Sequence, residues 1–157
     1  MSNEVMKLFY EDGDSLNALN ADTFRRGIEV TEQFMKDLPQ VIAEPVHRFA
    51  EGLYCRQLTM PAGSVFVSRV HKHENYAFIM QGSCTVISEN GAERLYSPFM
   101  MKTNSGTKRL LVIHEECTWI TVHALPAELA ESQDVDKIEE YFACDTLEEY
   151  EQGRLIL

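Results

Sequence analysis

Gly63-Ser-Val-Phe-Val-Ser-Arg69-Val-His71-Lys-His73-Glu74-Asn75-Tyr-Ala-Phe-Ile-Met-Gln-Gly82 is the stretch whose reading decides the fold. Its first half is apolar and β-branched, as a half-buried strand requires. Side chains two apart on a strand share a face, so His71 and His73 are expected on one side, with Arg69 beside them. The polar His73-Glu74-Asn75 is expected to be a turn, and the apolar run after it closes on a glycine.

The pattern continues on both sides. Strands are expected over about Leu53–Met60, Ser64–His71, Tyr76–Gln81, Ser83–Ser88, Glu93–Tyr96, Met100–Thr103, Lys108–His114 and Thr118–Ala124. The turns between them are read at Pro61-Ala-Gly63, Asn90-Gly91, Asn104-Ser-Gly106 and Glu115-Glu116. Asn90-Gly91 between apolar runs is the strongest hairpin signal, because both residues tolerate a positive φ. Short strands at this spacing make a sandwich or barrel.

The flanks differ. Residues 1–50 read as an N-terminal arm, with a helix over about 22–36 begun by Asp22 or Thr23 and ended by Leu38-Pro39. The barrel occupies 51–125. Residues 126–157 return to helical spacing, with Val135, Ile138, Tyr141 and Phe142 on one face, Ser132 or Asp134 as cap, and a capping box at Thr146-Leu-Glu-Glu149. At 157 residues the chain is read as one domain.

Charge excludes some functions. The net charge is −11, and residues 125–157 hold ten acids against two bases. Nucleic-acid binding needs clustered Lys and Arg, and none is visible. No apolar run approaches the ~20 residues of a membrane span. The opening Met-Ser-Asn-Glu-Val-Met-Lys lacks the basic-then-apolar layout of a signal peptide. The cysteines at 55, 84, 117 and 144 are widely spaced and read as reduced, so the expected location is the cytoplasm. The acidic segment reads as a solvated helix face or as a docking segment for a basic partner.

Residues Gly63–Gly82 and the turn at Asn104-Ser-Gly106 resemble the two motifs of the cupin superfamily. In that family a His-x-His pair, a glutamate and a later histidine point into a jelly-roll barrel and hold a divalent metal. More narrowly, Met60-Pro-Ala-Gly63, Met80-Gln-Gly82, Gly106-Thr-Lys-Arg109 and Trp119-Ile-Thr-Val-His123 resemble a small cupin-like family common in phage and prophage genomes, with no assigned function. The resemblance implies an all-β core: a cupin-like jelly roll with an N-terminal helical or extended arm and C-terminal acidic helices. Counting back from Gly82, the family glutamate falls on Asn75 and its paired histidines on Arg69 and His71. The later histidine falls on Arg109. A shifted register keeps His71 and His73 but puts the carboxylate at Ala77 or Phe78.

Two functional readings follow. The first is a non-catalytic binding module of phage type, whose pocket of Arg69, His71, His73, Asn75, Arg109 and Trp119 takes a small anionic ligand, or which binds a partner or virion protein. Guanidiniums grip carboxylate or phosphate through paired N–H bonds, which suits the anion. The second is a metal-dependent cupin enzyme (an isomerase, lyase or oxygenase) using His71, His73 and His123 to hold Fe, Mn, Ni or Zn, with His114 as another source of a third ligand. Arg69 and Arg109 also have a structural reading, paired with acids such as Glu74 or Glu93. Jelly rolls with arms cover their edges by association, so a homodimer or higher homo-oligomer is expected.

Overall fold

A computed structural model describes residues 21–156, so residues 1–20 of the expected arm lie outside the described residues. Helix α1 (Ala21–Met35) buries Phe24 and Ile28 one turn apart against Ile87, Leu110 and Val112. It ends where Gln40 Nε2 donates to the Met35 and Leu38 carbonyls, just past the proline that stops it.

Strands β1 (Val46–Ala50), β2 (Leu53–Met60), β3 (Val65–Val67), β4 (Val70–His71), β5 (Asn75–Ser88), β6 (Gly91–Tyr96), β7 (Phe99–Thr103) and β8 (Leu110–Ala124) follow. All pairings are antiparallel, in the order β1-β2-β8-β5-β6, with β3 on β8 and β7 on β5. This is the expected jelly-roll architecture, flanked by helices at both ends. The sheet already begins at Val46, inside the stretch read as arm.

Two expected breaks are absent. Tyr76–Gln81 and Ser83–Ser88 form one strand, β5, and Lys108–His114 and Thr118–Ala124 are joined in β8. Instead of turns, the paired strands slip register between Ile79 and Cys84, opposite Glu115 and Glu116. This β-bulge bends both strands, so one half of each faces the other across the core. Met60, Ile79, Cys84, Ile113, Cys117 and Trp119 fill the gap between the halves.

The acidic C-terminal segment is packed. Helices α2 (Ala127–Ser132), α3 (Val135–Phe142) and α4 (Leu147–Leu155) follow the barrel, with the two-residue strand β9 (Ala143–Cys144) paired to β4. Asp134 Oδ1 accepts from Lys137 N, and Thr146 and Glu149 form the expected capping box. Ile138 and Phe142 bury against Tyr54 and Leu125, each contributing about 1.5–3 kcal/mol. Most of the acids therefore lie on the outer side of a segment whose apolar side seals the barrel.

Candidate functional site

Strand β2 turns Tyr54, Arg56, Leu58 and Met60 inward, in register with His123, Thr121, Trp119 and Cys117 of β8. Between them and β3 lies a cavity of about 420 Å³. Leu58, Met60, Phe66, Leu111 and Trp119 make its apolar floor, and Arg56, Arg69, His71, Thr121 and Glu139 its polar wall. Phe142 and Ala143 close one side, while Val41, Ile42 and Ala43, leading into β1, cross another.

His71 ends β4, buried and fixed by its backbone: its N–H donates to Thr107 O and its carbonyl accepts from Gly106 N. Asn75 Nδ2 donates to His71 Nδ1 at 3.2 Å, so the ring proton sits on Nε2. Nε2 has no hydrogen-bond partner among the described residues and is not sealed off, which leaves it facing the cavity that His71 lines. Burial first, then the positive charge of Arg109, drives the His71 pKa down to about 3.

His123 lies behind it, rings 6.1 Å apart, stacked on Phe142 at 4.2 Å with Nε2 on Thr121 Oγ1. Burial and then Arg56 lower its pKa to about 4. Tyr54, beneath, shares a 2.6 Å hydrogen bond with His47, and burial pushes its phenol up to about 12.

The arginines are held by the C-terminal segment. Arg56 Nε lies 3.4 Å from Glu139, and Arg69 Nε donates to Asp145 at 2.7 Å. Each is engaged on its Nε edge, and among the described residues neither Nη pair hydrogen-bonds to protein. Arg69 is thus paired to an acid, but to Asp145; Glu74 instead takes Lys102. Arg109 is buried below the wall, donating from Nη1 to Thr103 Oγ1 with its guanidinium over the Trp119 ring. No described carboxylate lies within ion-pair distance of it.

The structure brings Arg69, His71 and Trp119 together at the cavity and sets Asn75 and Arg109 behind it. His73 goes elsewhere. β4 ends at His71 and the chain turns, so the two-residue alternation fails and His73 lies exposed on Tyr141, 4.6 Å away. His114 is also distant in role, bonded to Thr85 Oγ1. Arg56 and Glu139 were not singled out from sequence, although alternation along Tyr54, Arg56, Leu58 and Met60 carries the signal for Arg56.

The donor set does not fit a metal. His73 is outside, His71 carries its ring proton on the cavity-facing Nε2, and among the described residues no three His, Cys, Asp or Glu side chains are placed to share an ion.

Solved structures overlay more than half of the chain. Salicylate 1,2-dioxygenase from Pseudaminobacter salicylatoxidans covers 71% of this chain and 35% of its own at a TM-score of 0.50, with 14% identity. The fold is a cupin-type jelly roll. A cupin-2 domain protein from Shewanella frigidimarina (10% identity, 61% of this chain, 92% of that one, TM-score 0.44) and the EutQ protein of Clostridium difficile (16%, 58%, 73%, 0.46) are also similar. No protein-family model matches the chain, and no curated protein matches it. Within this cupin-type barrel no described helix is long and apolar enough to cross a membrane.

The buried histidines make the barrel acid-sensitive. Their folded pKa values, about 3 and about 4, lie below the ordinary 6.5, so below pH 6.5 the unfolded chain binds protons that the folded chain refuses. Stability is complete above that pH and is lost as pH falls toward 4, by up to about 1.4 kcal/mol per pH unit for each ring. Urea denaturation at pH 7, 6 and 5 is expected to show a loss of a few kcal/mol, flattened in a His71→Gln/His123→Gln variant. Equal stability at pH 7 and 5 means that the rings are not held neutral.

Proposed function

We propose that this protein is a non-catalytic binding module whose cavity takes a small organic acid. The apolar body lies on the Leu58, Met60, Phe66 and Trp119 floor, and the carboxylate meets Arg56, Arg69 and the His71 Nε2–H. The observation that carries this reading is the pairing of the two guanidiniums. Glu139 and Asp145 orient them from the Nε edge, and the Nη groups stay free for a bidentate carboxylate. A volume of about 420 Å³ suits a metabolite-sized ligand. Neutral His71 serves as a hydrogen-bond donor and is charged too rarely near pH 7 to be an efficient acid. The narrower likeness to phage-encoded proteins, and with it a virion or host partner, rests on the sequence motifs alone.

Calorimetric titration with octanoate and benzoate, against octanol and benzyl alcohol, tests the reading. The acids are expected to bind at least tenfold tighter than the alcohols. Arg69→Ala, at a half-exposed position, is expected to weaken them about 10- to 100-fold, the scale of a hydrogen bond to a charged group. Equal affinity for acid and alcohol overturns the anion site. Stoichiometric Fe, Mn, Ni or Zn in untagged protein, with a melting temperature that falls in chelator, overturns it in favour of the metal-dependent enzyme.

A further inference from the structure

We infer that the outer face of the sheet, on the side away from the cavity, is where a second copy of this chain docks. The register fixes what that face carries. One row runs Arg48, Cys55, Val122, Tyr76 and Lys102 across β1, β2, β8, β5 and β7. The next runs Val46, Gln57, Ile120, Phe78 and Met100 across the same five strands. Ala50, Leu53 and Ala124 flank one side, and Thr59 and Thr118 the other.

Outward-facing strand positions are normally polar when one face of an antiparallel sheet meets water. Here Ile120, Val122, Phe78 and Cys55 form the centre, with Tyr76 at 50% and Met100 at 58% exposure beside them. Among the described residues no helix covers them: α1 packs on Ile87, Leu110 and Val112, and α3 on the inward Tyr54.

Charge selects the occupant. The chain carries −11, yet none of these outward positions is acidic. Arg48 is bonded to Gln57 and Lys102 is neutralised by Glu74. Two copies of so acidic a protein repel across most surfaces but approach more easily here, where Glu74, the carboxylate beside Lys102, is already paired. The acid-rich segment packs on the opposite side of the sheet. At ~4.8 Å between strands and ~6.8 Å between same-face rows, two rows of five strands with their shorter flanking rows span on the order of 500 Å² before side-chain relief. A standard interface takes about 800 Å² from each partner. The same patch on both copies makes an isologous, closed dimer of sheets stacked face to face.

Sedimentation equilibrium of the full chain from 1 to 100 µM tests this. The expected mass is twice the 18.0 kDa of one chain. Tyr76→Glu/Met100→Glu, which brings four carboxylates together in the dimer, is expected to raise the dissociation constant at least 100-fold while leaving the circular dichroism and melting of the monomer intact. Should that pair melt early, Met100→Lys alone carries the same test. A wild-type monomer across this range overturns the inference, as does a variant that stays dimeric. A monomer whose Met100 becomes oxidisable by peroxide only after removal of residues 1–20 assigns the face to that segment instead.

Discussion

Gly82→Ala is expected to cost about 3 kcal/mol or more, a large share of the total stability of a domain this size. Gly82 sits in the bulge of β5 at φ +80°, a region where an L side chain is strained by about 1–3 kcal/mol. A Cβ there would also stand 2.0 Å from the Glu116 carbonyl oxygen, and backbone on the paired strand cannot swing aside. Gly63→Ala separates the two effects. Its φ is +79°, but nothing lies within 4 Å of the added carbon, so it bears the conformational strain alone. Urea midpoints are expected to fall much further for Gly82→Ala than for Gly63→Ala. Equal losses mean that the two long strands do not touch at the bulge.

Lys108→Ala ranks with it, at about 2–5 kcal/mol, the usual cost of truncating a long, fully buried side chain, since the partner Glu32 stays partly in water. Lys108 is wholly buried, donating to Glu32 Oε2 at 2.5 Å and to the Asp145 carbonyl at 2.9 Å. Its ammonium thus ties α1, the entry to β8 and the C-terminal segment to one point. Glu29 adds a second tie by accepting from Leu147 N. Lys108→Met keeps most of the stem volume and is expected to lose less, since part of the cost of alanine is the cavity. Denaturation curves for the two variants give the split. Losses below about 1 kcal/mol in both mean that the ammonium is not the clamp.

Local chemistry was legible where one element decides its own ends. Strand β2 lies over Leu53–Met60 as read, and α1 stops before Leu38-Pro39 because proline forbids the next turn. The caps at Asp134 and Thr146 were likewise readable, since each is a bond within four residues. What failed depends on a distant partner. Glu115-Glu116 has the composition of a turn, but Glu115 is paired with Ser83 of β5, so β8 continues through it, bent at the bulge. His73 follows the parity of His71 only while the strand lasts, and the strand lasts two residues. The cupin resemblance puts Arg109 at a pocket position but says nothing of depth. Its place beneath the cavity comes from Thr103 on β7 and Trp119 on β8.

The cavity wall draws on chain positions from Val41 to Ala143. During synthesis a ribosome therefore delivers every strand of the jelly roll before it delivers Glu139, Phe142 and Ala143. A nascent chain that stops after β8 has the barrel strands and the floor but an open side, with Arg56 and Arg69 lacking the acids that aim them. The pocket is completed by a segment made after the barrel, and ligand affinity in truncation series should appear as a step between residues 125 and 145, separate from the earlier gain of β-structure.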